Sequence, residues 1–226
     1  MWNDHLKNDY QALNAAVVAP DPVTEGFSPF VPSSNQSIKI GDASLAFDAT
    51  TGALSELDVD GISWASATNT LLAIEYQTYN ISQFQAFQRA YSNLTNPPGY
   101  FPHDFGKPND TIAVAHVQSP VARKFWMKQG QHNEDEAAAE GSMTSFLIEL
   151  SFNDSSLLQE YGAPQSIWTR LDVKAPAVTD TVAANHTGTN TESSAAVSIG
   201  VTVDLIGKVA TRHAEATFLR FAPANV

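Results

Sequence analysis

The sequence contains no cysteine, few basic residues and no long apolar run. The absence of cysteine excludes disulfides, thiolate metal sites and a cysteine nucleophile. Twelve Lys and Arg stand against 24 Asp and Glu, which gives a formal net charge of -12. This acidity predicts no nucleic-acid partner, because binding to phosphates depends on Lys and Arg. No stretch approaches the ~20 apolar residues that span a bilayer, so we expect no membrane segment.

Sequence motifs of several enzyme classes are also missing. There is no Gly-x-Ser-x-Gly nucleophile elbow, no Walker loop and no Gly-x-Gly-x-x-Gly turn after a strand. None of the six histidines forms a His-x-His or His-x-x-x-His pair, so a zinc site would need ligands brought together from distant loops. We therefore predict neither a metal site nor a cofactor.

Most of the chain alternates apolar and polar residues, which is the pattern of half-buried β-strands. The predicted strands lie near residues 38–40, 45–47, 54–59, 64, 71–79, 111–118, 122–128, 143–152, 197–205 and 214–221. Residues 179–196, rich in Thr, Asn, Ser and Ala, are expected to form a long loop. About nine or ten strands with little helix predict an all-β fold, an antiparallel sandwich.

Two helices are expected beside the strands. Ser82 and Gln85 have the spacing of a capping box at the start of a short helix, and Pro97-Pro98 would end it. Residues 3–18 show helical periodicity and precede a stretch with four prolines between positions 20 and 32. We therefore divide the chain into a helical tail with a Pro-rich linker (1–34), the end of a missing upstream domain, and a β-sandwich domain (35–226).

The chain carries six Asn-x-Ser/Thr sequons, more than its composition predicts by chance. They begin at Asn35, Asn80, Asn93, Asn109, Asn153 and Asn185. Their number favours a protein of the secretory pathway or the extracellular space, although an Asn-, Ser- and Thr-rich surface would produce the same pattern. The polar N-terminus has no apolar core after a basic region, so we expect no signal peptide in this chain.

The loop at residues 99–108 has the composition of a sugar-binding site. It combines aromatic residues with charged ones, and aromatic faces stack on the C–H groups of a pyranose while polar side chains bind its hydroxyls. Tyr100, His103, Asp104 and Lys107 are predicted to line a groove. The alternative is an aromatic plug at one end of the sandwich, ordered by a hydrogen bond between His103 and Asp104.

A second charged segment, residues 208–215, leads into the last strand. Its Arg212 and Glu215 are predicted to support the same ligand. They fit equally well as a strand-end ion pair that holds the last hairpin. A rival prediction is a mutarotase- or lyase-like enzyme in which His103, Arg212 and Glu215 act as acid–base and charge-stabilising groups.

Several segments resemble the C-terminal β-domain of glycoside hydrolase family 38-type proteins, in a branch found in fungi and microbial eukaryotes. The similar segments are residues 44–54 with 61–65, 75–79 with the helix at 84–91, 105–108, and 208–223, which together span roughly residues 37–223. This chain has His213-Ala214 where we expect Leu-Pro before the glutamate. Any site at that position would therefore be altered.

The resemblance implies a galactose-mutarotase-like sandwich that serves as the accessory domain of a glycosidase. The family's catalytic zinc and aspartate nucleophile belong to an upstream α/β barrel, which this chain does not contain. The expected function is therefore weak, non-catalytic binding of carbohydrate, with an upstream catalytic domain as the partner and no catalytic residue in this chain.

Overall fold

A computed structural model describes residues 18–33, 37–92, 113–130, 142–175, 196–211 and 213–224. These contain twelve β-strands and two helices. The strands are β1 (Ser28–Phe30), β2 (Ile38–Ile40), β3 (Ala43–Phe47), β4 (Leu54–Val59), β5 (Ile62–Ala65), β6 (Ala73–Thr78), β7 (His116–Gln118), β8 (Val121–Gln129), β9 (Met143–Ser151), β10 (Ser166–Lys174), β11 (Ser198–Ile206) and β12 (Glu215–Arg220). The helices are α1 (Ile81–Ser92) and α2 (Ser155–Gln159). Neither helix is long and apolar enough to cross a membrane.

The strands form three antiparallel sheets. The largest has the order β1-β8-β9-β10-β11, a second has the order β2-β3-β4-β5, and a third has the order β12-β6-β7. One hydrophobic core contains side chains from all three sheets, so the five-stranded sheet forms one layer and the two smaller sheets cover it. The predicted all-β antiparallel sandwich is confirmed.

Alternation along β9 explains how the layers are joined. Phe146, Ile148 and Leu150 point into the shared core, together with Phe152 just after the strand. Leu147 points to the opposite face, where it contacts a smaller cluster. Both faces of this central strand are therefore buried, unlike those of a strand in a sheet with one face exposed to solvent.

Four phenylalanine rings form the centre of the core. Phe47 of the four-stranded sheet lies 5.0 Å from Phe146 and 6.2 Å from Phe125, measured between ring centroids. Phe30 of β1 packs edge-on against Phe47 and Phe125 at 6.2 and 6.0 Å. Tilted and edge-to-face rings at these distances add to the free energy gained from their burial.

The outer face of the five-stranded sheet carries the smaller cluster. Trp126 and Trp168 stack with their centroids 5.3 Å apart, and Phe27 and Leu147 pack with them. Arg170 lies 5.7 Å from the Phe27 ring and forms a 3.5 Å ion pair with Glu25. The short segment before β1 is thus attached to the sheet by both apolar and charged contacts.

Two turns follow the sequence prediction closely. At the predicted Asp60-Gly61 turn both residues have positive φ, 54° and 75°, as a type I′ hairpin turn requires. In the turn after β3, the Asp48 carboxylate accepts hydrogen bonds from the backbone N–H groups of Thr50 and Thr51. Burial opposes the charged form of Asp48, but these bonds outweigh it and lower the pKa of that carboxyl.

The structure differs from the sequence prediction in several local details. The capping box is formed by Asn80 and Gln83, not by Ser82 and Gln85: each side chain bonds the other residue's backbone N–H, at 3.0 and 3.1 Å. Strand β10 and helix α2 were not predicted. Strand β1 lies in the Pro-rich stretch and pairs with the edge of β8, where the ring nitrogen of Pro29 costs little. Apart from Val18 and Ala196, the predicted helix at residues 3–18 and the predicted loop at 179–196 lie outside the described residues.

We predict that Phe146→Ala will strongly destabilise the fold. Phe146 is fully buried between the two layers, so its removal leaves a cavity and should lower the free energy of unfolding by about 3–5 kcal/mol. Urea denaturation measures this. Phe218→Ala is the matched control, because that ring is 46% exposed and its loss should cost well under ~1 kcal/mol. Equal losses in both variants would contradict the core assignment.

Candidate functional site

Glu215 is the one predicted site residue that the structure describes. Tyr100, His103, Asp104, Lys107 and Arg212 lie outside the described residues. The predicted groove at residues 99–108 and the predicted convergence of His103, Arg212 and Glu215 therefore stay predictions.

Glu215 lies in the wall of a cleft of about 500 Å³. Three aromatic residues and one amide line the cleft with it. The lining residues are Tyr79, Gln83, Phe84, Phe87, Ala214 and Glu215. An open cleft with aromatic walls and a few polar groups is the usual form of a small-ligand site.

The end of the β6–β12 ladder brings these residues together. Thr78 pairs with Glu215, and the N–H of Tyr79 then donates to the carbonyl of Ala214 at 3.0 Å. The chain leaves the ladder at Asn80, whose side chain caps α1. Phe87 follows Phe84 and Gln83 by three and four residues, so its side chain is next to both on the helix surface. The cleft thus lies between the first turns of α1 and the start of β12.

Hydrogen bonds from two residues behind the cleft wall, Tyr76 and Lys208, hold the Glu215 side chain; we call these two residues its anchor. The fully buried hydroxyl of Tyr76 has two acceptors in reach, the carbonyl oxygen of Tyr161 at 2.8 Å and the Glu215 carboxylate. The Lys208 ammonium donates to the other carboxylate oxygen of Glu215, with Nζ and Oε1 2.5 Å apart. Tyr76, Tyr161 and Glu215, which are far apart in the sequence, therefore meet at the Tyr76 hydroxyl.

The electrostatics of the anchor follow from this geometry. Burial of Tyr76, together with the hydrogen bond and the negative charge of Glu215, raises the pKa of the Tyr76 phenol well above its ordinary range. The phenol therefore stays a neutral donor. Lys208 neutralises the glutamate, so the cleft wall carries polar groups but little net charge.

Tyr161 connects the anchor to two histidines. Its hydroxyl accepts a hydrogen bond from the N–H of Val114 at 3.0 Å. The rings of His116 and His213 lie 5.1 and 5.3 Å from the Tyr161 ring, measured between centroids. His213 replaces the leucine that the family resemblance predicts, and its ring packs on Tyr161.

Near His116, Asp154 caps helix α2. The side chain and backbone of Ser156 both hydrogen-bond to Asp154 and lower the pKa of its carboxyl, with a smaller contribution from His116. This carboxylate therefore has a structural task at the helix start. Within the described ranges, no three His, Asp or Glu side chains come together as a metal site would require.

Two further concavities lie away from Glu215. A polar groove of about 920 Å³ is bordered by Asp48 and Glu56, but Asp48 bonds its own turn and Glu56 accepts from Ser37 and Ser44. A smaller one, of about 370 Å³, is lined by three aromatic residues, Phe30, Phe125 and Trp126, and by Arg123 and Lys124. Among the described residues, the Glu215 cleft is the one that contains a residue predicted as a site residue from the sequence.

Sequence reasoning identified Glu215 but missed most of its surroundings. Phe84 and Phe87 fall in the helix expected after Ser82, but their place in a cleft was not predicted. The anchor residues Tyr76 and Lys208 were also missed as partners of Glu215. The alternative of a strand-end ion pair between Arg212 and Glu215 stays a prediction, because Arg212 lies outside the described residues; the cation that the structure places on Glu215 is Lys208.

We predict that Tyr76→Phe will lower stability and remove a pH dependence. Loss of the hydroxyl removes the one proton that this buried group donates and should cost about 1–3 kcal/mol of unfolding free energy at pH 7. Because the folded pKa of Tyr76 is raised, its contribution is complete below the unfolded value of ~10 and declines as pH rises above it.

Urea denaturation between pH 9 and 11 tests the second point. The unfolded chain releases the phenolic proton first, so the wild type should lose about 1 kcal/mol more than Tyr76→Phe over this range. Other tyrosines and lysines titrate in both proteins and cancel in the comparison. Parallel curves for the two proteins would contradict the raised pKa.

Comparison with known proteins gives one match. The family described as "Domain of unknown function (DUF5054)" matches residues 3–179, which is more than half of the chain and includes Tyr76, Tyr79 and α1. Lys208 and Glu215 lie beyond the matched region. No curated protein and no solved structure matches. The chain therefore belongs to the DUF5054 family.

Proposed function

We propose that this protein is a non-catalytic carbohydrate-binding β-sandwich that takes up sugar in the Glu215 cleft. The observation that carries the proposal is the composition of the cleft wall: three aromatic rings beside an amide and a carboxylate. Aromatic faces can cover the C–H groups of a pyranose, and the polar side chains can bind its hydroxyls.

The exposure of Phe87 suits this role. Its side chain is 60% exposed at the cleft, whereas the rings of the core are buried. Covering a large exposed apolar side chain with a ligand is favourable, because it removes apolar surface from water. One ring stacked on a sugar contributes on the order of 1 kcal/mol beyond area burial, so we expect weak affinity, about millimolar.

The charge around the cleft favours a neutral sugar. The chain has a net charge of -12, and Lys208, the cation that the described residues place on Glu215, is already paired with that carboxylate. A uronic acid or a sulfated sugar would need a cation that is not committed to another group. A neutral hexose oligomer needs only hydroxyl partners and an aromatic surface.

The wider context of the proposal comes from the sequence resemblance. We propose a galactose-mutarotase-like topology and a role as the accessory domain of a family 38-like glycosidase, beside an upstream catalytic domain. Six sequons support passage through the secretory pathway; two of them, at Asn80 and Asn153, lie in described surface segments. The antiparallel sandwich agrees with this proposal at the level of architecture.

The geometry of Glu215 favours binding over turnover. A general base needs a carboxylate that can reach and accept the substrate's proton. Here one oxygen of Glu215 accepts from Tyr76 and the other from Lys208. We therefore prefer the binding module to the rival enzyme that would use His103, Arg212 and Glu215.

A binding experiment tests the proposed cleft. Titration of oligomannose into isotope-labelled protein, followed by NMR, should shift the resonances of Tyr79, Gln83 and α1. Phe87→Ala should weaken binding at least several-fold, since it removes the exposed ring. Val117→Ala is the matched control, because Val117 is 65% exposed on β7 and does not line the cleft. No shifts at tens of millimolar sugar, or equal weakening by both variants, would refute the cleft.

An activity assay tests the absence of catalysis. We expect no hydrolysis of aryl α-mannosides by the purified chain, with or without added zinc, because the proposed role requires only binding. Intact fold is checked by circular dichroism in the same samples. Clear zinc-dependent hydrolysis would refute the non-catalytic assignment while leaving the sugar-binding cleft in place.

A further inference from the structure

Strand β11 forms one edge of the five-stranded sheet. It pairs with β10 over nine consecutive residues, from Ser198 with Lys174 to Ile206 with Ser166, without a register shift. Among the described strands, none pairs with its other side. Along these nine residues, the backbone N–H and C=O groups of alternate residues point away from β10, where they can pair with a partner strand.

Within the described residues, the other sheet edges carry protective features that β11 lacks. Strands β1, β2, β5 and β7 have only three or four residues; β1 contains Pro29 and β2 contains Lys39. Strand β12 is longer but ends in Arg220. Proteins normally block free edges with short strands, proline, lysine or bulges. Strand β11 contains no proline, no basic residue and no bulge, and its single charge is Asp204.

The apolar face of β11 also extends beyond the layer that covers the core. Ile199, Val201, Val203 and Leu205 share a face with the buried β10 residues Ile167, Leu171 and Val173. They are nevertheless only partly covered, and Val201 is 38% exposed. An additional strand beside β11 would continue the sheet and shield this apolar row.

The sequence of β11 fits a second copy of itself. In an antiparallel pair centred on Thr202, Ile199 of one copy lies opposite Leu205 of the other, and Val201 lies opposite Val203. All four apolar side chains then remain on one face. Asp204 lies opposite Gly200, so the two negative charges do not meet. Such a pairing is self-complementary, as a two-fold interface requires.

We propose that two copies of this protein associate by antiparallel pairing of their β11 strands around Thr202. The pair joins two five-stranded sheets into one of ten strands and consumes both free edges, so assembly stops at the dimer. An interface built on one strand from each copy is small, so we expect a dissociation constant of about 1–100 µM. This inference is independent of the proposed sugar binding, which concerns the other layer of the sandwich.

A cysteine cross-link tests the register, and the native chain contributes no competing thiol. Thr202→Cys places two thiols opposite each other, at a Cα separation of ~4.5–5.5 Å that a disulfide can bridge. Ser198→Cys is the matched control in the same strand. In the proposed pair, the two cysteines at position 198 would lie eight residues apart along the strands, a separation of ~27 Å. Mild oxidation should convert most of Thr202→Cys to dimer and at least tenfold less of Ser198→Cys.

Sedimentation velocity tests the association itself. The wild type should show a concentration-dependent dimer. Thr202→Lys, which sets two like charges opposite each other, should raise the dissociation constant at least tenfold. Circular dichroism confirms that each variant is folded, and the cysteine pair provides a second test if Thr202→Lys is not. A wild-type monomer at about 500 µM, equal cross-linking of both cysteine variants, or larger open assemblies would overturn the proposal.

Discussion

The buried hydroxyl of Tyr76 is the contact on which the arrangement of the candidate site depends. Its ring packs in the shared core 5.6 Å from Phe152, and its hydroxyl reaches both Tyr161 and Glu215. A buried phenol that found no acceptor would cost much of what its burial gains. The fold supplies acceptors from the connection after β9 and from β12, and thereby joins the two layers at one point.

This anchor explains why Glu215 can line a cleft although it is only partly exposed. Tyr76 and Lys208 hold the carboxylate, and the last β6–β12 hydrogen bond sets Tyr79 beside Ala214. Helix α1 begins immediately afterwards, because Asn80 caps it. The rigid end of the sheet thus positions helix α1 and, with it, the aromatic residues that line the cleft. Binding residues on such a connection, supported by a rigid scaffold, are a common arrangement.

The two faces of the five-stranded sheet have different roles. Its inner face forms the main core with four phenylalanine rings, and its outer face is covered in part by Phe27 and the stacked tryptophans. The charged contacts of Arg170 attach the chain before β1 to this outer face. Strand β11 shares the inner face but is incompletely covered, so it combines an apolar surface with an edge that no described strand pairs with. The cleft that we propose for sugar binding lies elsewhere, at the end of the β6–β12 ladder, so the proposed binding and the proposed self-association use separate surfaces.

Local patterns in the sequence predicted most of the strands. Alternation located β3, β6, β9 and β11, and the Asp-Gly dipeptide located the β4–β5 turn, because these features depend on neighbouring residues alone. Strand β10 was missed although Ile167, Leu171 and Val173 alternate inward. Thr169 takes a buried inward position among them, and Trp168 faces the outer cluster. A residue's polarity then no longer shows which face it occupies.

The sequence by itself determined the all-β class, the acidic surface, and the presence of a glutamate with nearby cations at the start of β12. The tertiary structure decided which partners Glu215 has. Asn80/Gln83 and Ser82/Gln85 both have capping-box spacing, and only the point where the β6–β12 ladder ends selects the first pair. Likewise, Tyr76 is 139 residues from Glu215, and no periodicity relates them. Periodicity reports on neighbours along the chain, whereas contacts between layers depend on strand order, register and packing.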